Sequence, residues 1–348
     1  MNRFLTLLLF FCSASALFAQ DPQFSQFYGS PLTLNPALTG AFDGSYRVGI
    51  IYRDQWRKVL ESPYQTYSAA VDLRFGIDQR RGKARDYAAI GLLFFADKVG
   101  GLDFSTNQIS LNGAFHKSLN PRNSQYISIG IQGAISQRNL GYEDLYFSDQ
   151  FNGVNSYGDP TGEDLPANNF AFADFSAGLN YSYAPKQKVG LFLGLAMHHF
   201  LSPSVSFYDP EIDETPENRL FSKYSAQFSL QLPLGERVQF IPRALAAIQG
   251  PHFVANGGAS FRFQLSSSGG LALHLGSWLR PVWNEDNAFG LDAVVGMLGI
   301  EYSNVLFGVS YDAYLTDLTN ARQGQGALEI SIAYLGNYNN DSVLCPKF

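Results

Sequence analysis

The chain holds 348 residues, only 16% of them charged, and is rich in glycine (33), tyrosine (19) and phenylalanine (29). Its acidic balance, 30 Asp and Glu against 24 Lys and Arg, leaves no basic footprint for nucleic acid. Beyond the first residues no segment offers the ~20 apolar residues of a membrane-spanning helix, and one large all-β unit is an ordinary outcome at this length.

Met1, Asn2 and Arg3 lead into an apolar run from Phe4 to Phe11 and then into small residues ending at Ala19. This is the pattern of a secretory signal peptide, assigned to residues 1–19. Cleavage is expected before Gln20, although Leu17, three positions before the cut, is larger than the usual alanine. A lipoprotein site at Cys12 would need a small residue in front of it, and Phe11 stands there. Removing the segment leaves Cys345 as the only cysteine, so no internal disulfide is expected despite an oxidising destination.

Residues 20–44 read as an N-terminal periplasmic or plug segment. Pro22, Pro31 and Pro36 prevent regular helix and strand, whereas Phe24, Phe27 and Tyr28 are apolar or amphipathic anchors. Such a stretch is expected to pack under or inside the unit that follows, as a structural plug or as a docking site.

From residue 45 to 335 many segments alternate with period two, the pattern of strands with one apolar and one polar face. Phe253, Ala255, Gly257, Ala259, Phe261 and Phe263 face one way, and Asn256, Ser260 and Arg262 the other. Tyr67, Val71, Leu73 and Phe75 likewise oppose Ser68, Asp72 and Arg74. Fourteen strands are predicted, at 45–54, 65–75, 86–97, 103–117, 124–138, 173–185, 188–200, 222–233, 237–248, 253–265, 270–280, 287–302, 304–315 and 326–335. A membrane protein without apolar helices must close its sheet, because only closure satisfies every backbone group in lipid. The expected fold is therefore an all-β, antiparallel transmembrane barrel of about 14 strands with a polar lumen, followed by a tail at 336–348.

The connections supply an independent test, since such barrels carry short turns on one rim and long loops on the other. Asn120–Asn123, Pro185–Gln187, Leu234–Glu236, Ser266–Gly269 and Ser303–Asn304 are short. Asn139–Phe172, Leu201–Phe221, the stretch around Pro281 to Asp286, and Thr316–Gln325 fall on the other rim. Three connections break the rule: Gly76–Arg85 is long on the short side, and Lys98–Gly101 and Gln249–His252 are short on the long side. Arg47, Arg53, Asp72, Arg74, Arg243, Arg262, Asp292, Asp312 and Glu329 are placed opposite the apolar row, because a charge facing lipid costs ~2 to 4 kcal/mol at mid-bilayer. Lumenal ion pairs are their plain reading and a substrate pathway the alternative. Arg53 and Trp56 end the first strand at the outer rim, where tryptophan reads as an interfacial anchor. Glu143, Asp144, Asp149, Asp159, Glu163 and Asp164 make the longest outer loop acidic, a solvated loop or a partner surface.

Enzymatic signatures are missing: no nucleophile elbow, P-loop, dinucleotide fingerprint or zinc-protease motif occurs. His198 and His199 are adjacent on a predicted strand, so they are expected on opposite faces and unable to share a metal. His116 and His274 read as lumenal, hydrogen-bonded residues. Asp159, Glu163 and Asp164 match no EF-hand spacing. No catalytic residue, cofactor or metal site is assigned, and the chain is read as a non-enzyme.

The mature opening, Gln20-Asp21-Pro22-Gln23-Phe24-Ser25-Gln26-Phe27-Tyr28, continues through Pro31, Leu34-Asn35-Pro36-Ala37 and Gly40, then Arg47 and Tyr52-Arg53-Asp54-Gln55-Trp56. Asp97 with Gly100-Gly101 and the ending Leu344-Cys345-Pro346-Lys347-Phe348 complete the pattern. It resembles the PorP/SprF family, outer-membrane proteins associated with type IX secretion and gliding; Phe27 stands where the family is expected to take tyrosine or another aromatic. The resemblance implies an outer-membrane location and a role in secretion or surface attachment of large cargo such as adhesins. The partners it implies are the cargo, periplasmic secretion or motility components and outer-membrane lipid. Phe24, Phe27, Tyr28, Asn35, Pro36, Arg53 and Trp56 are the candidate partner-binding or plug residues. The rival reading is a porin or substrate-selective channel, and an outer-membrane hydrolase lacks an identifiable Ser and His pair.

Overall fold

In the computed structural model the described residues are 21–58, 60–77, 85–100, 103–142, 145–154, 156–185, 188–208, 219–266, 270–283, 289–315 and 326–336. Residues 1–20 with the expected signal peptide, both cysteines, Glu143, Asp144, Gly101 and the tail after residue 336 lie outside them. Fourteen strands form: β1 (Tyr46–Gln55), β2 (Tyr64–Gly76), β3 (Tyr87–Val99), β4 (Phe104–Ser118), β5 (Gln125–Asn139), β6 (Asn169–Tyr183), β7 (Gly190–His198), β8 (Lys223–Pro233), β9 (Val238–Gln249), β10 (His252–Gln264), β11 (Leu271–Trp283), β12 (Phe289–Tyr302), β13 (Val305–Tyr314) and β14 (Gly326–Gly336). Each pairs antiparallel with its sequence neighbours, and β1 pairs with β14, so the sheet is a closed barrel with no free edge.

The two faces follow from the alternation. In β5 the buried Tyr126, Ser128, Gln132, Ala134 and Ser136 alternate with Ile127, Ile129, Ile131 and Ile135, which are exposed, Ile131 by 66%. Isoleucines standing free on every second position suit hydrocarbon rather than water. The inward rows carry Ser110, Asn112 and His116 in β4, Asp174, Ser176 and Asn180 in β6, and Asp312 in β13, all buried.

The strand boundaries depart from expectation by more than two residues in two places. β6 begins at Asn169, four residues before the predicted start, because Asn169 to Phe172 still find partners in β5. β11 continues through Pro281 to Trp283 instead of ending at Arg280. A register shift between Arg280 and Pro281 leaves Asp292 of β12 as the extra residue of a bulge. A bulge is where a strand accommodates proline, which has no N–H for the ladder. It also explains how Asp292 reaches the interior: strict alternation puts it on the outward row with Val294 and Leu298, yet its carboxylate lies 3.5 Å from Arg280.

Two features concern the rim. Asp54 shares the outward row of β1 with Val48, Ile50 and Tyr52. It is tolerated at the strand's end, where the Tyr52 hydroxyl donates to it at 2.8 Å and Arg57 covers it. His198 and His199 do not point to opposite faces. β7 stops at His198, and His199 takes a left-handed φ of 56°, so both rings turn inward.

If the outward row of β5 faces hydrocarbon, Ile131→Arg lowers barrel stability by about 2–4 kcal/mol, while Ile131→Leu is tolerated. Folding yield in lipid vesicles, read from heat-modifiable gel migration, checks this; equal yields would mean that Ile131 does not face lipid.

Candidate functional site

Residues 21–45 run through the inside of the wall from the long-loop rim to the short-turn rim. At the first end Asp21 meets His199, Lys223 and Gln249. At the other, Ser45 donates to Gly336 of β14 while its carbonyl accepts from Arg74 of β2, which leads the chain directly into β1. Between them lie only three short helical turns, Phe27–Gly29, Pro31–Leu34 and Pro36–Leu38. The prolines keep the backbone from pairing with the sheet, so wall side chains take its polar groups instead. Glu329 accepts from the amides of Ser25 (2.6 Å) and Gln26 (2.8 Å), and Asp72 from that of Gly40 (2.7 Å). Arg47 donates to the Leu38 carbonyl at 3.2 Å, and the His116 ring meets that of Thr39 at 2.7 Å.

The Asn35-Pro36 pair sits in a recess made by two glycines that face each other across β5 and β6, Gly130 and Gly178. A Cβ on Gly130 would come within 2.3 Å of the Pro36 backbone, and one on Gly178 within 1.9 Å of Asn35 Oδ1. The Asn35 amide donates to the carbonyls of Leu179 (3.0 Å) and Leu195 (3.2 Å), while its oxygen caps Ala37 N at 2.8 Å. Every polar atom of this side chain is thus used by the recess or by its own turn.

Above it, two arginines and two carboxylates close around Ser25. Asp312 accepts from Arg53 (2.9 Å) and Arg280 (2.7 Å), and Glu329 pairs with Arg53. The Ser25 hydroxyl donates to Asp312 at 2.6 Å and accepts from both arginines. Phe27 fills an apolar patch of Leu245, Trp278, Val295 and Met297, joined by Tyr28 and Leu34. Arg243 lies over the Tyr28 ring at 4.2 Å, and Phe24 meets Phe95 edge-on at 6.3 Å.

At the long-loop rim His199 is held between two acids, Asp21 at 2.7 Å and Asp174 at 2.8 Å. Burial alone would lower its pKa, but the Asp21 charge and hydrogen bonds to both acids outweigh this and raise it to about 9. Burial works to raise the pKa of Asp21, yet Lys223 and His199 hold it well below the usual carboxylate range.

The structure therefore joins Phe24, Phe27, Tyr28, Asn35, Pro36 and Arg53 in one interior assembly. Trp56 lies beside it, turned inward by a φ of 62° onto Ala293, Tyr314 and Ala327 rather than outward to lipid. The acidic loop is separate. Asp149 accepts from Gly162 N at 2.6 Å, which with the Thr161 hydroxyl lowers its pKa, and Asp159 accepts from Asn152; Glu163 and Asp164 are exposed. Among the described residues no group of three His, Cys, Asp or Glu is placed to hold a metal ion. Gly130, Gly178, Trp278, Asp174 and His199 belong to the assembly without having been candidates from sequence. A glycine on the inward row of each of two predicted strands was the one available signal, and only the register makes them neighbours.

Residues 16–334 match the family model described as "Type IX secretion system membrane protein PorP/SprF". The chain belongs to this family. No curated protein matches the sequence. Among solved structures this PorP/SprF barrel is similar to the "TodX deltaS2S3 mutant monoaromatic hydrocarbon channel", with a TM-score of 0.51 at 12% identity over 88% of this chain and 94% of that one. The "CymD monoaromatic hydrocarbon channel" gives a TM-score of 0.50 at 10% identity, covering 89% and 94%. The toluene transporter TodX of P. putida gives 0.49 at 12%, covering 90% and 95%. At such identities the likeness concerns the fold alone. Family and fold together place the chain in the outer membrane.

Two outcomes follow from the interior assembly. Gly130→Val should push Asn35-Pro36 out of its recess at a cost of about 1–3 kcal/mol and expose residues 21–45 to protease. Gly113→Val, on the outward face with open space around it, should do neither. The second outcome concerns pH. The His199 pKa lies above its ordinary 6.5, so its stabilisation is complete below that value and is lost as pH rises through about 9; that of Asp21 is lost only in acid, as pH falls through its depressed pKa. A spin label at Gln23→Cys, in a Cys345→Ser background, should therefore gain mobility between neutral pH and about pH 10. His199→Gln should be mobile at both; a label equally immobile in the variant would remove His199 from the latch.

Proposed function

We propose that this barrel serves type IX secretion as a plugged anchor: it binds a large secreted cargo such as an adhesin at the long-loop rim, and its short-turn rim contacts periplasmic secretion components. The observation that carries this reading is the depth to which residues 21–45 are built into the wall. The segment is tied at both rims and at mid-height, and among the described residues three cavities beside it measure about 60, 180 and 30 Å³. A lumen occupied in this way suits a binding scaffold better than a conduit for small solutes. The acidic loop, exposed on the same rim as Asp21, adds a surface for an external partner.

Deleting the gene should leave small-solute uptake nearly unchanged and remove a particular large protein from the cell surface. Trimming residues 142–168 while keeping β5 and β6 should preserve insertion but weaken that display. In planar bilayers the intact barrel should stay closed, and removal of residues 22–42 should open it. An unchanged surface proteome with lost uptake of one small molecule would replace this reading with the substrate-selective channel.

A further inference from the structure

Most inward arginines of this barrel have a carboxylate of their own. Arg47 holds Asp72, Arg53 holds Asp312 and Glu329, Arg262 holds Glu301, and Arg280 holds Asp312 and Asp292. Arg138 on β5 differs. Among the described residues it has no ion pair, its Nε is buried without a hydrogen-bond partner, and its guanidinium lies 5.9 Å from the Phe104 ring centre and 5.7 Å from that of Phe172. Asp21 is the acid whose charge reaches it, and Asp21 is already engaged by His199 and Lys223. A buried donor of this strength left unmade costs free energy, and a planar guanidinium on aromatic faces suits a carboxylate.

Two strands away on the same inward row stands a matching acid. Asp97 of β3 pairs in register with Thr106 of β4, and Thr106 with Arg138. At ordinary strand spacing the two Cα atoms are about 10 Å apart. Asp97 accepts a hydrogen bond from the Thr66 hydroxyl at 2.6 Å and, among the described residues, has no cation of its own, since Arg53, whose charge reaches it, is held by two other carboxylates. Both side chains line one cavity of about 180 Å³ between the wall and the outer end of the lumenal segment, with Phe95, Phe104 and Phe172 supplying apolar surface.

We propose that this cavity is a binding site for an α-amino acid or short peptide with free termini, its carboxylate on Arg138, its ammonium on Asp97 and an apolar side chain against the phenylalanines. An unpaired cation and an unpaired anion on one row, separated by a single threonine, select a ligand that carries both charges; a simple anion would satisfy only one. This assignment does not rest on the secretion reading, and either can fail without the other.

The test is titration calorimetry on the full barrel in detergent, with phenylalanine and glycylphenylalanine as probes to distinguish a free amino acid from a peptide. N-acetylphenylalanine and phenylalaninamide each lack one charge. Saturable binding of either zwitterion is expected, with both capped compounds about tenfold weaker or more. Arg138→Gln should weaken zwitterion binding by at least about tenfold, and Asp97→Asn should do so for the free amine while leaving N-acetylphenylalanine unchanged. Heat-modifiable migration verifies that each variant is folded, and the capped ligands test the same assignment on the unaltered chain. No saturable heat with either zwitterion up to about 10 mM, binding that survives both substitutions, or N-acetylphenylalanine binding as tightly as phenylalanine would each overturn the proposal.

Discussion

A backbone that cannot pair with itself or with the sheet, yet lies inside a closed barrel, has to be satisfied by side chains. That constraint organises the interior of this protein. Residues 21–45 contain too many prolines to add a strand, and no wall strand has a free edge to offer them. The inward rows answer with groups of the right sign at the right height: Glu329 and Asp72 for amides, Arg47 and His116 for carbonyls. The charges on those rows are thus explained together. Breaking one buried pair by removing a partner costs about 3–5 kcal/mol, so a cluster such as Arg53, Arg280, Asp312 and Glu329 is stable only when complete, and Ser25 is one of the groups that complete it.

How far the sequence could be read depends on whether a feature is local. Strand positions are local, because each outward row repeats every second residue and each turn carries its own glycine, proline or asparagine. All fourteen strands were legible in that way. His199 departs from its expected face because alternation is interrupted there by a left-handed residue, whereas Asp292 reaches the interior, as expected, by way of a bulge. Period-two reasoning has no means of anticipating either interruption. The docking of Asn35 was invisible for a different reason. Its recess needs Gly130 beside Gly178, a fact of register between β5 and β6. The anchors themselves, Phe24, Phe27 and Tyr28, stood out because large aromatic groups among prolines have no regular structure in which to bury themselves.

The likeness to hydrocarbon channels illustrates how little a barrel wall says about activity. A shared closed sheet leaves its contents open, and in this chain they are the segment threaded through it and the loops above it. The apolar exterior suits the membrane in either case. Function has to be sought where the wall departs from generic barrel chemistry, in paired inward glycines, in a histidine held between two acids, and in an arginine with no carboxylate partner among the described residues.

The contacts of the lumenal segment also constrain how the molecule assembles. Gln26, which precedes every strand in the chain, is held by Glu329 of β14 across 303 residues of sequence, and Asn35 by β6 and β7 across 144 and 160. None of these bonds can form before the late strands are in place, and contacts of such separation form slowly. Yet the segment is continuous with β1, the strand on which β14 must close. Insertion after closure would require threading residue 21 through a barrel whose interior is already lined with charge. The lower-cost order has the segment lying along the inward rows while the sheet is open, with Asp72 and Arg47 of the first hairpin taking Gly40 and Leu38 first. The late residues Asp312 and Glu329 then find Ser25 and Gln26 waiting. On this order the segment templates closure of the barrel as well as filling it, because the groups that seal β14 to β1 from the inside belong to residues 25 and 26.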